Sequence, residues 1–239
     1  MHRKRIAVLT GAGISAESGL KTFRDNDGLW NGFSIYEVAT PEAWAQNPQR
    51  VLDFYNARRK EAIKAAPNSA HLGLAALERC HEVCVITQNV DDLHERAGSH
   101  SVIHLHGELL KMRSSLDPDL IYNYEDDIRM GDLATDGAQL RPHIVWFGEE
   151  VPMLMQAMKI VQSSDIMVVV GTSLQVYPAA GLLDFFPSER PIYLIDKSIP
   201  LISPGHRLAD TQSLVTCIEQ PATTGVDLLL KRLNCQSDL

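Results

Sequence analysis

The chain has 239 residues, 45% of them hydrophobic and 22% charged, an ordinary globular balance with enough apolar material for a sizeable core. A formal net charge of -8, with no long Lys/Arg block, argues against a nucleic-acid-binding surface. No apolar run approaches the roughly 20 residues of a membrane helix. Ile6 to Leu9 is too short for a signal-peptide core and glycine follows at once. Cys80, Cys84, Cys217 and Cys235 are scattered with no CxxC pair, which predicts reduced, buried thiols and a soluble, cytoplasmic protein.

Ile6 to Leu9 reads as a buried strand ending in Thr10-Gly11-Ala12-Gly13-Ile14-Ser15. Strand, glycine turn and helix form the layout of a phosphate-binding fingerprint, in which the amides opening the helix face an anion. A plain glycine turn reads the same way, and no acidic residue closes a second strand at the dehydrogenase distance of roughly 20 residues. Gly19 to Trp30 has little periodicity and is expected as a loop. Within it, Phe23 beside Arg24 suits either a cover over a cofactor or plain surface packing. Pro41 opens the first of two amphipathic helices that reach about Ala66. Tyr55 and Arg58, three apart, share a face of the second. On a pocket wall a phenol and a guanidinium would hold a carboxylate; a bare charge run such as Asn56 to Glu61 is ordinarily a solvated stripe.

Asn68 or Ser69 caps a helix over His71 to Arg79. Val83 to Thr87 is β-branched and almost wholly apolar, the pattern of a strand buried on both faces in a parallel sheet. It delivers the polar turn Gln88-Asn89-Val90-Asp91, then a helix stopping at Gly98, then a strand Val102-Ile103-His104-Leu105-His106. Glu108 to Leu140 is polar and Asp-rich, an excursion from the sheet. Ile144 to Glu149 resumes apolar structure, and Pro152 opens a Met-rich core helix. Asp165 to Val170 is the clearest buried strand and runs into Gly171-Thr172-Ser173; Pro191 to Ile195 followed by Asp196 repeats that arrangement. A helix over about Thr223 to Leu233 closes the chain.

This alternation, with polar turns after several strands, predicts an α/β fold, a Rossmann-like doubly wound parallel sheet. Residues 1–24, 71–107 and 143–239 are assigned to it. Residues 25–70 and 108–142 would form a smaller module inserted in two pieces, with a ligand cleft between the two. Period two sets His104 and His106 on one strand face, but zinc generally takes four placed ligands, so a catalytic metal is the weaker reading. A general-base histidine needs only a pKa near working pH. There is no G-x-S-x-G elbow and no cysteine at a polar turn, which weakens the nucleophilic-hydrolase readings.

Taken together and in order, Gly11-Ala12-Gly13-Ile14-Ser15 with Phe23-Arg24, Thr87-Gln88-Asn89-Val90-Asp91 with Leu93-His94, His106-Gly107, Val145-Trp146-Phe147-Gly148-Glu149 and Gly171-Thr172-Ser173 closely resemble the sirtuins. These are NAD-dependent protein lysine deacylases, and the resemblance covers nearly the whole chain. It implies that Gly11, Ala12, Gly13, Ser15, Phe23 and Arg24 surround the pyrophosphate and nicotinamide ribose of NAD. Gln88 and Asn89 would order the ribose hydroxyls and a water, Asp91 the nicotinamide amide, and Gly171, Thr172, Ser173, Asp196 and Ala222 the adenosine half. His106 would be the general base. Val145, Trp146, Phe147, Gly148, Glu149 and Val176 would pair with an acyl-lysine peptide as an added strand. Tyr55 and Arg58 match the pair found in sirtuins that accept succinyl and malonyl groups, so the carboxylate-clamp reading displaces the solvated stripe.

Two departures stand out. The family's two zinc-binding CxxC pairs are missing: Met112-Arg113-Ser114-Ser115 and Thr135-Asp136-Gly137 stand in their places, so no zinc is expected and the small module would rest on packing and side-chain hydrogen bonds. Asp196 stands where the family often has Asn, which adds charge beside a ribose. The expected partners are acylated lysines of proteins, with no nucleic acid and no membrane, and the expected state is a monomer. Mono-ADP-ribosyl transfer and a non-catalytic NAD- or acyl-lysine-binding module are the alternatives; the pairing of His106 with Asn89 weighs against the latter.

Overall fold

The computed structural model describes residues 3–21, the backbone of 29–30, 32–199 and 214–235. Strand β1 (Arg5–Thr10) is followed by two 3-10 turns, Ala12–Ile14 and Ala16–Ser18, where a helix was expected. Ile14 and Ser15 N–H bond three residues back, to the Gly11 and Ala12 carbonyls, so the turn is 3-10. Gly11 N–H donates to the Val170 carbonyl and Gly13 N–H to the Gly171 carbonyl, and Gly19 ends the segment at φ 87°. Phe23 and Arg24 lie outside the described residues.

A short hairpin, β2 (Leu29–Trp30) and β3 (Phe33–Ser34), leads to helices α1 (Ile35–Val38), α2 (Pro41–Gln46) and α3 (Pro48–Lys64). Thr40 and Asn47 cap α2 and α3 through their side chains, each with Pro at the first turn. Asn68 caps α4 (Ser69–Leu77), and β4 (Glu82–Thr87) runs into the Gln88–Asp91 turn and the single-turn helix α5 (Leu93–Arg96). β5 (Val102–His104) is shorter than expected. Leu105 makes one more bond, to the Thr87 carbonyl, and Gly107 at φ 82° turns the chain into β6 (Gly107–Ser114). The polar stretch is organised rather than loose: β6 lies between β7 (Ile121–Asn123) and β8 (Leu140–Ile144) in an antiparallel sheet. The chain then continues through α6 (Leu154–Ser163), β9 (Ile166–Val170), a 3-10 segment Ala179–Phe185, β10 (Ile192–Asp196), β11 (Val215–Glu219) and α7 (Ala222–Arg232).

The six-stranded sheet has the order β11-β10-β9-β1-β4-β5, and its pairings are all parallel. Because strand side chains alternate faces, β1 sends Ile6 and Val8 to one side and Ala7 and Leu9 to the other. The first side packs with Leu74 and Leu77 of α4 and Val226 and Leu229 of α7. The second packs with Ala157 and Val161 of α6 and with Leu182 and Phe186. Both faces are covered, which is the physical reason β4 and β9 read as unbroken apolar runs.

A third core joins α3 to the remainder: Val51, Phe54, Tyr55 and Ala62 meet Val90, Leu109, Ile144 and Trp146. In the neighbouring charge run Asn56, Arg58 and Arg59 are buried, while Lys60 and Glu61 stay exposed. Arg59 is 1% exposed, and it donates from Nε to the Leu109 carbonyl and from Nη1 to Asn56 Oδ1 and the Asp126 carbonyl. Asn56 in turn pairs with both backbone groups of Ile128. These bonds fasten α3 to the 109–128 segment.

The cysteine expectation is corrected. Cys80 and Cys235 form a disulfide, and the thiols of Cys84 and Cys217 are half-buried and exposed respectively. α4 and α7 lie side by side, with Gly73 against Val226, so the ends of these two helices bring cysteines 155 residues apart within bonding reach. Spacing along the chain carried no sign of that meeting.

Candidate active site

The carboxyl ends of β1, β4 and β9 meet at the crevice where ligands enter doubly wound sheets. A cavity of about 430 Å³ opens there, between the parallel sheet and the α3 helix. One end is a cradle of backbone. A Cβ on Gly13 would lie 2.7 Å from Gly171 Cα, and one on Gly11 would lie 2.8 Å from the Gly171 oxygen, so only glycine allows these turns to touch. Gly171 itself has φ 63°. Ala12, Thr172, Ser173, Asp196 and Ala222 line the same end, and Lys197 beside Asp196 also faces it.

The floor is a buried polar network. Asn89 is 7% exposed, and its Nδ2 donates to the Gly11 carbonyl and to Ser15 Oγ, each at 3.2 Å. Ser15 Oγ donates to Asp91 Oδ2 at 3.2 Å. Burial raises the Asp91 pKa, opposed by the Leu93 N–H and the Ser15 hydroxyl. Behind this floor, Thr10 Oγ1 lies 2.8 Å from Thr87 Oγ1 and 3.0 Å from His94 Nε2, and Thr87 Oγ1 accepts the Asn89 N–H. Gln88 Nε2 donates to Thr172 Oγ1, tying the β4 turn to the β9 turn.

His106 stands at the cavity wall with Nδ1 3.1 Å from the Gln88 carbonyl oxygen. A carbonyl only accepts, so Nδ1 carries the proton and the lone pair of the neutral ring is on Nε2. Burial lowers the His106 pKa, partly opposed by that carbonyl, so the ring is neutral at neutral pH. This is the tautomer a general base needs.

At the opposite end, Tyr55 and Arg58 of α3 line the cavity with Val145, Trp146, Phe147, Gly148, Glu149 and Val176. Burial raises the Tyr55 pKa, opposed by the Trp146 indole beside its hydroxyl and by the Arg58 and Arg141 charges. The Trp146 wall is braced from behind. Arg141 stacks 3.2 Å from the Trp146 ring centroid and pairs with Glu149 at 2.8 Å, while Glu149 accepts the Trp146 N–H at 2.8 Å. Arg113 of β6 reaches the same carboxylate at 3.3 Å. Burial alone would raise Glu149; the Arg141 bonds and charge outweigh it and hold the pKa below the ordinary value.

All the sequence-derived site positions within the described residues thus line this one cavity. Sequence reasoning missed Arg141, Arg113 and the contacts of Thr10 with Thr87 and His94, although Thr87 and His94 stood in the quoted motifs. Thr10 and Thr87 end apolar strands, but Arg113 and Arg141 carry no comparable sequence sign.

A doubly wound sheet whose crevice combines a glycine cradle, a buried Asn–Ser–Asp floor and a histidine presenting a free Nε2 defines a nucleotide-dependent enzyme. Residues 11–178 match the family model described as "Sir2 family". The chain is 52% identical over 230 residues to an NAD-dependent protein deacylase of Helicobacter pylori (strain ATCC 700392 / 26695), covering 96% of this chain and 97% of that one. It is 54% identical over 202 residues to an NAD-dependent protein deacylase of Bacteroides thetaiotaomicron, covering 81% and 85%. A solved complex of a Sir2 homologue with NAD superposes with a TM-score of 0.82 at 39% identity, over 97% of this chain and 90% of that one. The chain belongs to the Sir2 (sirtuin) family.

The family's four-thiolate zinc site does not fit the residues present. Leu109 to Leu140 contains no cysteine, and among the described residues no cluster of three or more His, Cys, Asp or Glu is placed to hold a metal ion. Where the cysteine pairs would stand, Ser114 Oγ donates to Asp136 Oδ2 at 2.6 Å and accepts the amides of Leu116 and Asp117. Tyr122 and Thr135 share a second bond at 2.9 Å. Among the described residues no helix is long and apolar enough to cross a membrane.

Proposed function

We propose that this NAD-dependent protein-lysine deacylase removes acidic acyl groups, succinyl and malonyl, as well as acetyl, and works without zinc. The observation that carries the acyl reading is the position of Tyr55 and Arg58, one turn apart on α3, lining the same cavity as the glycine cradle, with Tyr55 packed in one cluster with Trp146. A guanidinium fork and a phenol there suit a carboxylate bidentately.

NAD, when bound, supplies the electrophilic sugar carbon that accepts the acyl oxygen. The glycine cradle of Gly11, Gly13 and Gly171 lets backbone approach a pyrophosphate, and no side chain could take its place. Gln88 and Asn89 orient the ribose, Asp91 holds the carboxamide, and Thr172, Ser173, Asp196 and Ala222 face the adenosine half. His106 takes a proton from the ribose hydroxyls through Nε2. Val145 to Glu149 and Val176 pair with the substrate backbone as an added strand. In the small module, the Ser114–Asp136 and Tyr122–Thr135 bonds and the Arg59 brace take the part of the metal.

The test is incubation with NAD and a panel of acetyl, succinyl and malonyl peptides. Peptide-dependent nicotinamide release with O-acyl-ADP-ribose supports the reading. ADP-ribose attached to protein would mark a transferase, and binding without turnover a non-catalytic module.

A further inference from the structure

His104 and His106 leave β5 on one face and brace consecutive carbonyls of the turn after β4. His106 Nδ1 lies 3.1 Å from the Gln88 oxygen, and His104 Nδ1 lies 3.1 Å from the Asn89 oxygen. Since a carbonyl only accepts, both Nδ1 atoms carry protons. Their Nε2 atoms have opposite fates. That of His106 is at the cavity wall, whereas that of His104 lies 2.8 Å from Glu95 Oε1. The Glu95 side chain is 41% exposed, and although burial would raise its pKa, the His104 bond and charge, a backbone N–H and the Lys111 charge together outweigh this and lower it, so it is a carboxylate. An ionised carboxylate also only accepts. A proton on each nitrogen, the imidazolium form, is the state of His104 that satisfies both acceptors.

We propose that His104, held as a cation between the Asn89 carbonyl and the Glu95 carboxylate, is a positioning residue that fixes Asn89 for the reaction. The inference rests on the reading of Asn89 as a ribose-orienting residue. Two other groups of Asn89 are committed: its N–H goes to Thr87 Oγ1 and its Nδ2 to Gly11 and Ser15. The backbone carbonyl is held separately, by His104. Loss of the His104 charge leaves one lone pair where two N–H donors are needed, so either the Asn89 carbonyl or the Glu95 carboxylate loses its partner.

The groups facing His104 come from three elements: Glu95 and His94 from α5, Asp91 from the turn before it, and Glu108 from β6, itself paired with Lys111 at 2.7 Å. Burial pulls the His104 pKa down, but the Glu95 bond and charge, Glu108 and the Asn89 carbonyl outweigh it and raise it above the ordinary value. Burial holds His94 neutral, with its pKa well below the ordinary value. A raised folded-state pKa means the pair's contribution to stability is complete below the unfolded pKa of roughly 6.5. That contribution is lost as pH rises through the folded value.

The experiment measures kcat/KM for NAD against pH, at saturating acyl-peptide, in the wild type, His104→Asn and Glu95→Gln. The wild type is expected to lose activity on an alkaline limb above the ordinary histidine value. Glu95→Gln moves that limb to lower pH, because the stabilising anion is gone. His104→Asn lacks the limb and runs roughly ten- to hundredfold slower, the scale of one charge-assisted hydrogen bond. His100→Asn, which removes an exposed His–Glu pair with Glu78, leaves the profile unchanged. A wild-type rate and alkaline limb in His104→Asn overturn the proposal; should that variant not fold, an unmoved limb in Glu95→Gln does so. Asn89→Ala separates the two readings. Full turnover in that variant sinks the role given to Asn89, whereas an inactive Asn89→Ala beside an unaffected His104→Asn sinks only the role given to His104.

Discussion

His106 holds its Nδ1 3.1 Å from the Gln88 carbonyl oxygen, and this contact decides which ring nitrogen faces the cavity. Removing the imidazole in His106→Ala should cut turnover by about 10²- to 10⁴-fold, the usual worth of a placed general base. Because burial outweighs the Gln88 bond and lowers the pKa below 6.5, the acid limb of wild-type activity should have its midpoint below pH 6.5. Steady-state rates on an acetyl peptide check both statements. A midpoint above that value would mean that the titrating base is another group.

Acyl preference is the second expectation. Arg58→Met removes the guanidinium and keeps much of the aliphatic stem, so desuccinylation should fall about ten- to hundredfold more than deacetylation, the cost of one charged hydrogen-bonded pair. Competition between acetyl and succinyl peptides in one reaction measures the ratio directly. Equal losses would show that Arg58 supports the fold of α3 without reading the acyl group.

Metal content provides the third. Purified protein analysed by plasma emission should carry no stoichiometric zinc, and prolonged chelation should leave activity and the thermal midpoint unchanged. Replacing Asp136 by Ala removes the acceptor of the Ser114 hydroxyl, so the midpoint should drop in that variant. One zinc per chain would overturn the hydrogen-bonded account of the small module.

The cysteines give the fourth. Denatured, non-reduced protein should titrate two thiols, Cys84 and Cys217, and reduction should raise the count to four. Closing a loop of 155 residues constrains the unfolded chain, so reduction should also lower the thermal midpoint. Four thiols without reductant would show that the ends of α4 and α7 meet with free sulfurs.

Much of the fold and site was readable because the relevant signals are local. The apolar runs of β4 and β9 report burial on both faces, and the turns that follow them are polar because strand ends open into the crevice. Tyr55 and Arg58 are legible as a pair from helical spacing alone, but their burial is not, since a charge run looks the same whether water or a second module covers it. Asn56 and Arg59 show why. Their partners, Leu109, Asp126 and Ile128, lie 50 to 72 residues away and are backbone groups, which carry no residue-type signature. The disulfide was missed for the same reason. The 3-10 turns after Gly11 were missed because a glycine turn opening a helix and one opening 3-10 turns read alike along the chain.

Arg58 and Arg59 are adjacent in sequence and divide their work across α3. One lines the cavity, and the other is fastened to the carbonyls of Leu109 and Asp126. The helix that carries the proposed acyl-reading pair is therefore fastened to the cysteine-free segment beyond it. Grafting a cysteine-bearing ribbon into residues 108–142 would re-aim that helix as well as restore a metal. Selectivity between acyl groups, and not stability alone, is the property such a chimera would change first.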